Sequence, residues 1–340
     1  MNLQQHKIKI IISGGGTGGH IFPAIAIANE LMRVNPENEI LFVGAEGRME
    51  MEKVPAAGYK IEGLKIAGIQ RKFDLKNLTL PFKVIGSVLK SRNIIKTFKP
   101  DAAVGVGGYA SGPLLYAATM MGIPALIQEQ NSFAGVTNKI LSGRVRKVCV
   151  AYEGMEKYFS KDKISLTGNP VRQDVVRIEG KSEEATKYFN LQSGKKTILV
   201  IGGSLGAKRI NDAIRSDLQK FVDNDIQLIW QTGKNYFPAA KEAAEPFQDK
   251  GIRCHDFISR MDLAYACATA VVSRAGASSV SELELVAKPC ILVPSPNVAE
   301  DHQTKNAMSL VNKNAARSEE HTSELQSHSD LVCRLLLEKK

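Results

Sequence analysis

Ile8-Lys9-Ile10-Ile11-Ile12-Ser13-Gly14-Gly15-Gly16-Thr17-Gly18-Gly19-His20-Ile21-Phe22-Pro23 runs from a short apolar strand into a glycine cluster and on into a helical pattern. An apolar run that ends at glycines reads as a buried strand of a parallel sheet. Glycines let the backbone approach a bulky anion, and the first N–H groups of the next helix point at it. His20 adds a titratable ring at the mouth of the loop. An anion site with its own proton acceptor points to chemistry on a phosphate-bearing substrate.

The pattern repeats outward from this stretch. Ile40–Val43, Ala102–Val106, Ala125–Ile127 and Lys147–Val150 are further short apolar runs, with helical patterns at Pro23–Arg33 and Leu114–Met121. Strands alternating with helices predict a parallel sheet covered on both faces. Gly168-Asn169-Pro170 interrupts the series. A second series starts at Thr197–Ile201 and continues through Ile226–Trp230, Ala270–Val272 and Ile291–Val293. Its first strand also runs into a glycine loop, Gly202-Gly203-Ser204-Leu205-Gly206-Ala207. The expected fold is therefore α/β, with two Rossmann-like domains, 1–168 and 169–316, facing a cleft, and ligands outside the carboxyl ends of the strands.

Composition narrows the function. The 340 residues suit two domains, and 44% hydrophobic with 24% charged residues is ordinary for a globular chain. No run approaches the roughly 18 apolar residues of a spanning helix, and Met1–Lys9 does not read as a signal peptide. Five scattered cysteines without a Cys-x-x-Cys pair fit a reducing compartment. A net charge of +10 calls for acidic partners. Nucleic acid is not expected, because no recognition motif or aromatic-rich basic strand is present.

Further motifs follow in order: Gly105-Val106-Gly107-Gly108-Tyr109-Ala110-Ser111-Gly112-Pro113, Gln128-Glu129-Gln130-Asn131, Thr137-Asn138, Gly168-Asn169-Pro170-Val171-Arg172, Arg274-Ala275-Gly276-Ala277 with Ser281-Glu282, and Asp301-His302-Gln303 with Asn306-Ala307. Together with the two glycine loops, this ordered set across residues 8–316 resembles the MurG family. These are bacterial transferases that move N-acetylglucosamine from its UDP donor to a membrane-bound muramyl-pentapeptide precursor, converting lipid I to lipid II. The resemblance implies the two-domain GT-B fold, an inverting reaction, and no cofactor or required metal.

The resemblance also assigns residues. It places Ser204 and Arg172 on the donor nucleotide, Glu282 on the ribose diol, and Ala277, Ser278, Ser279, Val280 and Ser281 around the donor. Ile258 matches a position that meets the uracil edge, and Gln303 one that binds the donor sugar. Thr17, Gly18 and Gly19, with the 105–112 loop, would grip the acceptor diphosphate. His20 and Asn131 fall near the reacting sugars. His20 is the candidate general base for the acceptor 4-hydroxyl, and Glu129 is its rival; the sequence does not separate them.

Other readings stay open beside this one. Gly14-x-Gly16-x-x-Gly19 with Glu46 satisfies a dinucleotide-binding pattern, which leaves His20 and the second glycine loop unexplained. A GT-B enzyme of the epimerase type would share the donor site alone. Asp223-Asn224-Asp225 has a metal-binding form but precedes a strand, at the end of the sheet away from the ligand side. Residues 70–90 interleave Arg71, Lys72, Lys76, Lys83 and Lys90 with Phe73, Leu75, Leu78, Leu80 and Phe82. Such a segment suits an anionic membrane surface, with peripheral attachment at the cytoplasmic face. Finally, Arg317-Ser-Glu-Glu-His-Thr-Ser-Glu-Leu-Gln326 equals the in-frame translation of a common sequencing adapter. Residues 317–340 are therefore expected to be a non-native tail.

Overall fold

The computed structural model describes residues 6–66, 80–203, 206–296, 298, 301–312 and 316–318. The chain divides into two compact units, Met1–Arg172 and Gln173–Lys340. The expected boundary at 168/169 lies four residues earlier, so Gly168–Arg172 belongs with the first unit.

The first unit is built on a seven-stranded sheet in the order β3-β2-β1-β4-β5-β6-β7. Its strands are β1 (Lys9–Gly14), β2 (Glu39–Ala45), β3 (Lys60–Leu64), β4 (Ala102–Gly107), β5 (Ala125–Glu129), β6 (Lys147–Val150) and β7 (Ile164–Leu166). Every neighbouring pair is parallel. The helices are α1 (Gly18–Val34), α2 (Glu50–Ala56), α3 (Leu80–Phe98), α4 (Ser111–Met120) and α5 (Val136–Ser142). The strand order reverses between β1 and β4, and the two glycine loops of this unit leave those two strands. In an open parallel sheet that is the crevice where ligands collect.

The second unit repeats the plan with six strands in the order β10-β9-β8-β11-β12-β13. They are β8 (Thr197–Ile201), β9 (Gln227–Gln231), β10 (Ile252–His255), β11 (Ala270–Ser273), β12 (Cys290–Leu292) and β13 (Arg317–Ser318). Its helices are α6 (Gln173–Val176), α7 (Ser182–Tyr188), α8 (Lys208–Ser216), α9 (Leu218–Asp223), α10 (Phe237–Ala244), α11 (Met261–Cys267), α12 (Ala277–Val286) and α13 (His302–Val311). The reversal lies between β8 and β11, again at the strands that feed the loops singled out in the sequence. The two residues of β13 are the first of the expected tail and pair with Ile291 and Leu292.

Central strands bury both faces. Ile198 and Val200 pack with Ile210 and Ile214 of α8, while Leu199 and Ile201 pack with Ala264 and Tyr265 of α11. Each such side chain contributes roughly 1.5–3 kcal/mol of apolar burial. This is the rigid base from which the loops project.

Several elements differ from the sequence expectation. α1 starts at Gly18 and carries Pro23 inside it, five residues before the predicted start. β3, β7, β10 and β13 were not anticipated. They are the edge strands of the two sheets, Lys-Ile-Glu-Gly-Leu, Ile-Ser-Leu, Ile-Arg-Cys-His and Arg-Ser, without the continuous apolar run of a central strand.

Candidate functional site

In the first unit, β1 delivers the Gly14–Thr17 turn and β4 delivers the Gly107–Tyr109 turn, and the two interlock. Gly15 N donates to Gly107 O at 3.2 Å. Gly108 has φ +92°, and a Cβ there would lie 2.3 Å from Gly15 O. A Cβ on Gly107 would lie 2.8 Å from His20 Nε2. Glycine at these two positions is what lets the β4 turn close over the first loop. Ser111, fully buried at the start of α4, accepts from Gly107 N (3.2 Å) and donates to Ser13 O (2.8 Å), locking the turns together.

Thr17 is the N-cap of α1 in extended conformation, and Gly18 and Gly19 open the helix. Helix-start amides lack internal acceptors and present the positive end of the helix dipole. No acidic residue lies in that first turn to oppose an anion. His20 is half-buried, and its Nδ1 donates to Gly15 O at 3.1 Å, with Thr17 Oγ1 at 3.4 Å. A neutral ring held this way carries its lone pair on Nε2.

Glu129 ends β5 and is buried. It accepts from Asn131 N (3.2 Å), Gly135 N (2.9 Å) and Asn138 Nδ2 (2.8 Å). Three donors from its own loop and from α5 make it a clamp for the half-buried Asn131 segment. Gln128, Gln130 and Asn169 form the next layer: Gln128 Nε2 donates to Asn169 Oδ1 (3.1 Å), Asn169 Nδ2 to Gln130 O (3.1 Å), and Gln130 Nε2 to Val106 O (2.7 Å). Arg172 places its guanidinium over the Phe22 ring at 5.0 Å.

In the second unit, Gly206 has φ +77° and a Cβ on it would lie 2.2 Å from Thr232 O. The turn therefore sits directly against the end of β9. Ser204 lies outside the described residues. Gln231 Oε1 accepts from Ile258 N at 2.9 Å, and its Nε2 reaches Gly203 O at 3.4 Å. The Ile258 side chain is buried in the core, so only its main chain faces the loop region.

The Ala277–Glu282 stretch is the opening of α12. Ala277, Val280 and Ser281 are buried, Ser278 and Ser279 half-buried, and Ser278 Oγ has no hydrogen-bond partner among the described residues. Glu282 is half-buried and its Oε2 accepts from Tyr265 OH at 3.0 Å. Gln303 Oε1 accepts from Ser295 N at 2.9 Å, and Asn306 Nδ2 donates to Ala275 O at 3.3 Å, so α13 is tied to the loop before α12. Arg274 donates to Val293 O and Pro294 O at 3.1 and 2.8 Å. Burial, with Arg209 nearby, lowers its pKa from the usual arginine value.

Sequence reasoning missed Glu50, Ser111, Gln231 and Tyr265. Ser111 lies inside a quoted motif, and Gln231 lies one residue past the anticipated strand Ile226–Trp230, ending the observed β9. Glu50 and Tyr265 carry no signal, since an acid in a helix's first turn and an aromatic in an apolar helix are ordinary. Glu46, the acid of the dinucleotide pattern, is instead paired with Lys90 at 3.2 Å. Asp223 accepts from Gln219 at 2.8 Å, and Asp225 is paired with Lys195. Both precede β9, at the end opposite the loops. Residues 70–79 of the basic-apolar segment, and the Leu80 side chain, lie outside the described residues. Beyond them, α3 exposes Phe82 (77%) and Ile85 (58%) beside Lys83.

Two family models match, the glycosyltransferase family 28 N-terminal domain over residues 10–150 and its C-terminal domain over 197–331. The second match continues past Arg317. A Parabacteroides distasonis protein is 60% identical over 310 residues, 91% of this chain and 84% of its own. A Flavobacterium psychrophilum protein is 55% identical over 335 residues, 98% of this chain and 90% of its own. Both are named UDP-N-acetylglucosamine–N-acetylmuramyl-(pentapeptide) pyrophosphoryl-undecaprenol N-acetylglucosamine transferase. The crystal structure of Acinetobacter baumannii MurG superposes with TM-score 0.75 at 28% identity, covering 97% of this chain and 91% of that one. The two parallel α/β units are thus those of a GT-B glycosyltransferase, and the chain belongs to glycosyltransferase family 28, with the MurG transferases.

Proposed function

We propose that this chain moves N-acetylglucosamine from UDP-N-acetylglucosamine to the 4-hydroxyl of the muramyl sugar of lipid I, forming lipid II and releasing UDP. The observation that carries the reading is the 60% identity, over 91% of the chain, to a transferase named for that substrate pair. The acceptor oxygen attacks the donor sugar carbon, the bond to UDP breaks on the opposite face, and the configuration inverts. Three demands follow: a base for the hydroxyl proton, a sink for the diphosphate charge, and alignment of both sugars.

His20 meets the first demand, with Nε2 as the receiving atom. The Gly202–Ala207 loop with Ser204, and Arg172, meet the second on the donor side without a metal. Thr17, Gly18 and Gly19 hold the acceptor diphosphate, and Asn131 lies near the reacting sugars. Glu282 binds the ribose diol, Ala277–Ser281 line the donor, Gln303 binds its sugar, and the Ile258 main chain meets the uracil. The first unit is the acceptor and membrane domain, and the second is the donor domain. Among the described residues no helix is long and apolar enough to cross a membrane. The exposed Phe82–Lys90 face supports peripheral attachment to an anionic cytoplasmic membrane surface.

The test is transfer of labelled N-acetylglucosamine to a short-chain lipid I analogue without added metal. Label in the lipid product establishes the reaction. Free UDP released without acceptor would favour an epimerase-type enzyme instead, and intact donor would sink both.

A further inference from the structure

Glu50 is 1% exposed at the start of α2, beneath the first glycine loop. Its Oε2 accepts from Gly16 N at 2.9 Å and its Oε1 from Ala45 N at 3.0 Å. Two backbone donors on two oxygens is the pattern of an acceptor-only, ionised carboxylate. The fit is close: a Cβ on Gly15 would lie 2.2 Å from Glu50 Oε1, and one on Gly44 would lie 2.6 Å from its Cγ. Placing a negative charge under a loop built for anions works against anion binding, so its presence calls for another explanation.

The explanation lies in which peptide it touches. The N–H that Glu50 accepts belongs to the Gly15–Gly16 peptide group. The C=O of that same group accepts from His20 Nδ1 at 3.1 Å. Carboxylate, peptide and imidazole therefore form one line. The peptide dipole points its hydrogen at Glu50 and its oxygen at His20. Hydrogen bonds in such a chain polarise each other, and a buried charge at one end strengthens the acceptor at the other.

We infer that Glu50 is a positioning residue for His20: through the Gly15–Gly16 peptide it fixes the Nδ1–H tautomer and raises the basicity of Nε2. The inference deepens the base assignment proposed above and rests on it. A carboxylate commonly does this for a catalytic histidine by direct contact. Here a glycine peptide stands between them. Gly107 and Gly108 complete the device, because side chains there would displace the His20 ring and the Gly15 carbonyl.

Other groups stand near this line. Thr17 Oγ1 lies 3.4 Å from Nδ1. Tyr109 Cε2 lies 4.0 Å from where a Cβ on Gly16 would stand. Arg172 lies over Phe22 on the same helix, and Glu46 is paired with Lys90. Glu50 reaches the loop itself, through Gly16 N.

The experiment is the pH profile of transfer, from about pH 5 to 9 around the histidine range, for wild type, E50Q, H20A and the double variant. E50Q is expected to lower kcat roughly 10- to 100-fold, as loss of a histidine's supporting acceptor does elsewhere. Both KM values should stay within about twofold. The acid limb should move to lower pH, because loss of the negative charge disfavours the imidazolium. In the H20A background E50Q should add no further loss. An unmoved acid limb, or an equal loss with and without His20, overturns the relay and leaves the base assignment standing. An unchanged kcat in H20A removes the base assignment and the relay with it. Should E50Q fail to fold, the histidine nitrogen spectrum of the wild-type chain decides: Nδ1–H on His20 is expected, and Nε2–H would overturn the proposal.

Discussion

Tyr265 of α11 donates its hydroxyl to Glu282 Oε2 of α12 across 3.0 Å, and the ring behind that hydroxyl is only 1% exposed. The phenol is packed in the core, so it presets the carboxylate proposed for the ribose diol. A hydrogen bond to a charged group is worth roughly 1.5–3 kcal/mol when its partner is removed. Tyr265→Phe loosens the carboxylate but leaves it in place, so only part of that energy is lost to donor binding, and KM for UDP-N-acetylglucosamine is expected to rise roughly three- to tenfold with kcat nearly unchanged. Glu282→Ala should raise it further. A donor lacking the ribose 2′-hydroxyl should make both losses smaller, and equal losses with either donor would remove the ribose role.

Glu129 is the rival base, and its surroundings give a clear separation. Its carboxylate already serves Asn131 N, Gly135 N and Asn138 Nδ2. Truncation leaves buried donors unsatisfied at about 1–3 kcal/mol each. Glu129→Ala should therefore lower the melting temperature by several degrees, while the acid limb of the pH profile in the surviving protein stays in place. A normal melting temperature with a collapsed kcat and a lost acid limb would make Glu129 the base.

The central strands and both glycine loops could be read from the chain because their causes are local. A parallel strand buried on both faces must be a continuous apolar run, and a turn at an anion site needs glycine. Edge strands β3 and β10 obey neither rule. The candidate site was legible in its motif residues, His20, Glu129 and Glu282, but not in what aims them. Glu50 sits in Arg48-Met-Glu-Met-Glu52, where nothing distinguishes a loop anchor from a solvated first-turn acid. Tyr265 looks like one more core aromatic. Ile258 shows the converse, a position matched by family whose side chain belongs to the core. Such roles arise from contacts across tens of residues, which local patterns do not carry.

Two of the three glycines of the Gly202–Ala207 loop respond to different constraints. Gly206 has φ +77° and would press a Cβ to 2.2 Å from Thr232 O, whereas Gly203 has φ +81° with nothing within 4 Å. Gly203→Ala meets only the left-handed backbone penalty, of about 1–2 kcal/mol. Gly206→Ala adds a backbone clash, so it should be clearly less stable in denaturant titrations. Equal midpoints would show that the turn relaxes freely.

α3 leaves Phe82, Ile85 and Leu89 at 77%, 58% and 54% exposure, interleaved with exposed Lys83 and Lys90. Apolar groups that enter a membrane boundary gain by burial, and each nearby lysine adds about 1 kcal/mol on an anionic surface. Phe82→Ser with Ile85→Ser should weaken sedimentation with phosphatidylglycerol vesicles by roughly tenfold or more, and added salt should weaken the wild type. Transfer to a water-soluble acceptor should be unaffected. Unchanged vesicle binding would place the membrane contact elsewhere.

Asp262 gives the acid response a defined sign. Arg260 donates to both its oxygens at 2.9 Å, and Lys181 adds a bond at 2.7 Å. The Arg260 hydrogen bonds hold the carboxyl well below the usual carboxylate range against the opposing effect of burial, and Lys181 adds a smaller push in the same direction as Arg260. A group whose pKa is depressed on folding adds stability above its unfolded value, near 3.9, and loses it as pH falls toward the folded value. Below both values the contribution is gone. The wild-type melting temperature should therefore fall on acidification below about pH 5, and Asp262→Asn should be less stable at neutral pH with a flatter acid slope. Because the cluster joins α11 to Lys181 just before α7, the same variant should loosen the Ser182–Tyr188 helix first in hydrogen exchange. Parallel acid slopes for the two proteins would mean that the ion cluster contributes nothing to acid unfolding.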